Sequence, residues 1–399
     1  MSTGFDGVDI DHAAASSPDM HEAPPRTAGH QGDSASVRSA RWAVIGETIL
    51  LYVLCIGAAL AISAVIVVAT GGDAGAVFSA LFDGSLRGPG RIGETLGVAA
   101  PLLLVALGAI VSTRAGLVNI GQEGQLFIGA AFAAYVGTKV GGPGPLILVL
   151  LLVAGALGGV LWAGIAAVLK YRRNVPEVLT TLLLVTIATQ LAGYGLKNQW
   201  LLLAPAEGRS NRQQISEQLA ADTRLPMVSL FGNSFPISVV LALAAALLIG
   251  FALARTLWGF RLRMLGHNLR TAQRAGIGAA RHGGAALLVS GGFAGLAGGM
   301  MLAGGDFGNY TLVPGFPSEI GWTGLLVALV ARQRVSAAVV VAFIFASLRT
   351  GSGFLASTGV ERRITDVVQG LLVLALLVPP ALMFMRERRR AAAGREDRT

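Results

Sequence analysis

Apolar positions in this chain come in long runs that carry almost no charge, separated by shorter polar connections. From Trp42 to about Thr70 only Glu47 interrupts the first run, which is long enough to cross a hydrocarbon core of roughly 30 Å as a helix. Further runs lie near 94 to 113, 117 to 138, 145 to 169, 177 to 196, 236 to 256, 284 to 303, 319 to 331, 335 to 348 and 364 to 385, about ten in all. At about 1.5 Å of rise per residue, 319 to 331 and 335 to 348 are too short to cross alone, so they are expected to be half-helices packed inside protein. The pattern predicts an all-α, polytopic integral membrane protein with a transmembrane domain over 42–385. A weak internal echo, Glu123 with Glu177 and later Glu319 with Asp366, suggests two halves. With five spans each, an odd number, they would form a 5+5 inverted repeat with short or broken helices.

Composition excludes the soluble alternative. Hydrophobic residues make up 53%, charged residues 13% and mean hydropathy is +0.65, whereas a soluble domain carries about 25% charge. The net charge of +9 is distributed as arginine clusters at the ends of apolar runs, which fits the positive-inside bias better than nucleic-acid binding. Lys170, Arg172 and Arg173 form one cluster, Arg255, Arg261, Arg263, Arg270, Arg274 and Arg281 a second, and Arg386, Arg388, Arg389 and Arg390 a third. Ten crossings place all three on the cytoplasmic side with both termini, and leave Arg349, Arg362 and Arg363 as a misfit outside. Residues 1–41, acidic and without an apolar core, are expected to be a disordered cytoplasmic tail, and 386–399 a basic one. The mixed-charge connection 197–235 is expected to be an external loop, and 257–283 a cytoplasmic loop. Cys55 is the only cysteine, so no intrachain disulfide or cysteine cluster can form.

The candidate chemistry is sparse. The histidines are confined to the tail and the arginine loop, and no phosphate-cradling Gly-Lys motif occurs, so ATP-driven work would have to come from a partner. The segment Gly116 to Gln125 puts Asn119, Gln122, Glu123 and Gln125 at the start of an apolar run. Asn119, Gln122 and Glu123 have helical spacing and are expected to share one face, looking into protein or a watered cavity. Either they line a solute path or they cap and bond neighbouring helices. Glu177, Thr180 and Thr181 repeat the pattern after Pro176, with the same two readings, since an acid is favoured at a helix N-terminus. Gly291, Gly295 and Gly299 form a small-residue stripe read as a packing face. The loop Gly266 to Gly278 is helix-capable and rich in small residues, suited to a partner surface or to anionic membrane lipid.

Jointly these segments resemble the permease subunits of bacterial ATP-binding-cassette importers for nucleosides and simple sugars, a superfamily that includes ribose and branched-chain amino-acid permeases. Gly116 to Gln125, Glu177 to Thr181, Gly266 to Gly276, Gly321 to Gly324 and Asp366 to Gly370 carry the resemblance in order. It departs where Val118 stands for Phe, and where Val185 and Thr186 replace a polar-aromatic pair. The resemblance implies a transport subunit rather than an enzyme, in the bacterial plasma membrane. Its expected solute path is Asn119, Gln122, Glu123, Gln125, Glu177, Thr180, Thr181 and Trp322, and Gly266, Asn268, Ala272, Ala275 and Gly276 are expected to couple it to an ATPase. No cofactor is expected on this chain, ATP and magnesium residing on the partner ATPase. A second permease and an extracytoplasmic solute-binding lipoprotein complete the implied assembly. The alternative is a proton-coupled secondary transporter in which Glu123 or Glu177 titrates within the membrane.

Overall fold

A computed structural model of the chain describes residues 33–354 except 70, 206–213, 231–232, 306–308 and 317–318, together with isolated positions between 367 and 386. The expected span at 364–385 and both tails therefore lie largely outside the described residues. The first fifty residues form a unit apart from Leu51–Thr399. Helix α1 covers Asp33–Ala69, so it begins upstream of Trp42, within the stretch expected to be disordered. The short helix α2, Ala74–Phe82, was not anticipated. It is set by Asp73, whose Oδ1 accepts from the Gly75 N–H at 2.8 Å as an N-cap.

The remaining helices are α3 (Arg91–Arg114), α4 (Gln122–Lys139), α5 (Gly144–Arg173), α6 (Glu177–Gly195), α7 (Ser238–Arg255), α8 (Leu257–His267), α9 (Leu269–Arg274), α10 (Ala279–Gly304), α11 (Ile320–Val330) and α12 (Val335–Phe354). Seven described helices are long and apolar enough to cross a membrane: α3, α5, α6, α7, α10 and most of α1 and α12. The connection after α6 holds an antiparallel hairpin of β1 (Met227–Leu230) and β2 (Asn233–Pro236). The arginine loop is helical, as α8 and α9.

Two sequence expectations need correction. The run read as a half-helix at 335 to 348 is a full helix of 20 residues, α12. It was cut short at Arg349, but arginine is a good helix former and this one lies within electrostatic reach of Glu123. Conversely, the run read as a span from 117 begins as helix only at Gln122, because Gly116 turns the chain at φ +76° and residues 117–120 run on without helical bonds. Asn119 is therefore not on a helical face with Gln122 and Glu123. Its Oδ1 accepts from the Gly121 N–H at 3.1 Å, a local bond that competes with helix formation.

Two long helices, α3 and α10, occupy the core. Helix α3 is buried along most of its length, from Val98 to Ser112, as is α10 from Ala294 to Ala303 except for Leu296. They run antiparallel: the start of α3 at Gly93 abuts Ser234 of the hairpin and its end meets Gly266, whereas α10 starts beside Tyr171 and ends where Leu225 N–H bonds Ala303 O at 2.9 Å. Each packs on the two helices that follow the other, α3 on α11 and α12, α10 on α4 and α5. That exchange, with the opposed directions of α3 and α10, is the arrangement of an inverted repeat.

Glycine makes the α4–α5–α10 packing possible. A Cβ on Gly159 would sit 2.1 Å from Gly291 O, and one on Gly295 would sit 2.2 Å from Gly155 O. The stripe Gly291, Gly295, Gly299 is a packing face, as expected.

Candidate functional site

The broken helices α4 and α11 bring their N-terminal ends together. Helix α11 has 11 residues, a rise of about 16 Å, and its far end is fixed by Arg114 Nη2 donating to Gln333 O at 2.9 Å. Its start therefore lies about 16 Å from that end, roughly half the thickness of a 30 Å hydrocarbon core. There the Glu123 carboxylate caps it, Oε1 accepting from the Glu319 N–H and Oε2 from the Gly321 N–H, both at 2.6 Å. These are orphan donors that every helix N-terminus presents, and lipid offers them no partner. Gly321 is required by the approach, since a Cβ there would stand 2.4 Å from Glu123 N.

The other polar residues of the segment knit its extended part to α10 and α3. Asn119 Nδ2 donates to Gln125 Oε1 at 2.8 Å and to Ser290 Oγ at 2.9 Å, and Gln125 Nε2 returns a bond to Asn119 Oδ1 at 3.1 Å. Gln122 Nε2 donates to Val105 O at 2.8 Å, while its Oε1 is buried without a partner among the described residues. Asn119, Gln122, Glu123 and Gln125 are all at most 3% exposed. The structure thus brings these four together, not as an open wall but as a closed junction.

Glu177, Thr180 and Thr181 lie at the start of α6, beneath that junction. Glu177 is ion-paired with Lys170 at the end of α5. Thr181 Oγ1 accepts from Ile120 N–H at 3.3 Å, whereas among the described residues Thr180 Oγ1 donates only to Glu177 O and Pro176 O at the start of its own helix. Gly121 and Gly124 press onto α6, each leaving under 3 Å for a Cβ against Thr181 O and Val185 Cα. Trp322 stands apart from this set. It is 37% exposed on the first turn of α11, on one face with exposed Glu319 and Leu329.

Sequence reasoning missed three participants. Ser290 was legible as the lone hydroxyl in an apolar run; Glu319 was noted only as an echo; Arg349 was read as a loop residue.

The expected coupling residues form a second locus. Gly266 at the end of α8 seats directly on the α3–α4 turn, where a Cβ would be 2.4 Å from Arg114 O and 3.0 Å from Gly116 N. Asn268 Oδ1 caps α9 through the Thr271 N–H at 3.1 Å, and Ala272 is fully buried. Ala275 and Gly276 are exposed, and Gly276 turns the chain at φ +76°. Backbone contact at Gly116–Gly266 therefore joins α8 and α9 to the segment that climbs to Asn119 and Glu123.

Comparison with known proteins fits this geometry. Residues 91–377 match the model of the branched-chain amino acid transport system permease component family. The chain is 31% identical to a guanosine ABC transporter permease protein of Bacillus subtilis over 84% of its length and 95% of the relative's. It is 31% identical to a glucose ABC transporter permease protein of Haloferax volcanii over 82% of its length and 86% of the relative's. A nucleoside ABC transporter permease protein of Lactococcus lactis is 26% identical over 79% of the chain and 87% of the relative. No solved structure matches it. With helices that can span a membrane several times and a match extending from α3 beyond α12, the chain belongs to the family of branched-chain amino acid transport system permease components, as a multi-pass membrane transport subunit.

Proposed function

We propose that the chain is the permease subunit of an importer for nucleosides or simple sugars, driven by ATP hydrolysis on a partner ATPase. The observation that carries the mechanism is the Gly116–Gly266 contact, which links the α8–α9 surface to the mid-membrane junction of α4 and α11. In this reading the arginine-rich end is cytoplasmic. A partner ATPase engages Ala275 and Gly276, and its closure moves α8 against the α3–α4 turn. The 115–121 segment and the Glu123 cap follow, opening a path beside Glu319 and Trp322.

A carboxylate exposed at mid-membrane depth cannot face lipid without large cost, so the face of Glu319 and Trp322 belongs against water or a second permease. Together they offer an acceptor and an aromatic surface, which suit hydroxyl groups and a sugar or base ring. The substrates in the relatives' names, guanosine, glucose and nucleosides, share that neutral, hydroxyl-rich chemistry. An extracytoplasmic binding lipoprotein would deliver the solute from the hairpin side. Proton coupling through Glu123 is disfavoured because both of its oxygens are engaged by backbone donors.

The substrate class is tested by accumulation of labelled guanosine, glucose and leucine in cells with and without the chain. Loss of guanosine or glucose uptake with leucine unchanged is expected. Loss confined to leucine would overturn the assignment.

A further inference from the structure

At the arginine-rich end, α3, α7 and α12 enclose a groove of about 690 Å³. Its walls are apolar. Leu243, Leu247 and Phe251 line one side of α7 at successive turns and are 42%, 77% and 63% exposed, and Val339 of α12 stands opposite. Its mouth is cationic. Arg114 and Arg263 line it, and Arg334 lies within electrostatic reach of Arg114, as does Arg263. None of the three takes part in an ion pair among the described residues. Arg114 donates through Nη2 to Gln333 O and Arg263 through Nη1 to Leu253 O, but Arg114 Nε is buried without a partner among the described residues.

Three guanidinium groups gathered with no carboxylate paired to them among the described residues repel one another, and an anion between them relieves that repulsion. The anion is not a free one on this geometry, because the groove beneath the arginines is apolar and opens along the exposed apolar side of α7. A molecule with a phosphate at one end and a hydrocarbon chain at the other complements both parts. We propose that this groove is a binding site for an anionic phospholipid, with its phosphate among Arg114, Arg263 and Arg334 and an acyl chain along Leu247 and Phe251. The lipid would brace the α3 end and the Gln333 turn, immediately beside the Gly116–Gly266 contact. It is separate from the solute path and does not depend on which solute is carried.

The test uses the purified full chain in a neutral detergent, with bound lipid counted by native mass spectrometry after titration with phosphatidylglycerol or phosphatidylcholine of the same acyl chains. Phosphatidylglycerol should be retained preferentially. Arg334→Gln, at an exposed position, should weaken that retention about fivefold, the worth of one basic residue near an anionic surface, and leave phosphatidylcholine unchanged. Gly250→Phe, where a Cβ meets nothing nearer than Val335 Cγ1 at 3.7 Å, should fill the groove and reduce retention without lowering the lipid-free unfolding midpoint. Equal retention of the two lipids, or unchanged phosphatidylglycerol binding in both variants, overturns the proposal. So does inorganic phosphate raising the unfolding midpoint as much as phosphatidylglycerol does, which would assign a phosphate site without a chain. Loss of permease pairing in Arg334→Gln with lipid retention intact would assign the groove to a protein interface instead.

Discussion

A buried carboxylate is costly unless donors meet it, and Glu123 meets two backbone N–H groups at 2.6 Å. Its role in this conformation is to terminate α11 in the middle of the bundle. Glu123→Gln keeps one oxygen but turns an NH₂ toward a backbone donor, so it should destabilise the protein by about 1–3 kcal/mol. Glu123→Leu leaves both donors unmet and should cost more. Thermal unfolding of the purified variants in detergent orders them. If uptake is driven by ATP, uptake per folded molecule should persist in the Gln variant. Normal stability with complete loss of pH-dependent accumulation would point to a titrating carboxyl instead. The polar cluster Asn119, Gln122, Glu123, Gln125 was legible in the sequence because four polar side chains open an otherwise apolar run. Its targets were not: Glu123 finds its donors 196 and 198 residues away, and no local pattern encodes such a pairing.

Among the elements, broken helices and glycine contacts set the architecture, and both have direct tests. Gly159→Ala places a Cβ 2.1 Å from Gly291 O and should lower stability by about 2 kcal/mol through overpacking. Gly193, in α6, has nothing within 4 Å of the same position; Gly193→Ala should be neutral or stabilise by up to about 1 kcal/mol. Unfolding midpoints of the pair measure the difference, and equal effects would contradict close packing of α5 on α10. Helix identity was readable from apolar runs, and α11 from its shortness. The α4 start and the α12 end were not. An apolar run does not reveal that Gly116 and the Asn119 side chain divert the backbone, nor that an arginine continues a helix near an acid. Likewise, α2 and the hairpin arise in connections where local capping and turn geometry, not hydropathy, decide the structure.

Across the described residues from Leu51 to Phe354, arginines and the helices α8 and α9 gather at one end, and the β-hairpin lies at the other. The asymmetry was visible in the sequence, since arginines cluster in particular connections, whereas the exchange of α3 and α10 between helix pairs needed three dimensions. Ala275→Trp adds bulk at an exposed position with an ordinary φ of −81°, which avoids the backbone strain of altering Gly276. It should leave insertion and folding intact while abolishing copurification with the ATPase and ATP-driven uptake. Retained association would reassign the surface to lipid. In the proposed mechanism, movement begins at a partner ATPase and reaches the junction through Gly116 and Gly266. The most direct measurement is accumulation of labelled guanosine or glucose in proteoliposomes containing the chain, its permease partner, its ATPase and its binding protein. Accumulation should require ATP hydrolysis and persist when the proton gradient is collapsed; accumulation by this chain alone, driven by a proton gradient and indifferent to ATP, would contradict it.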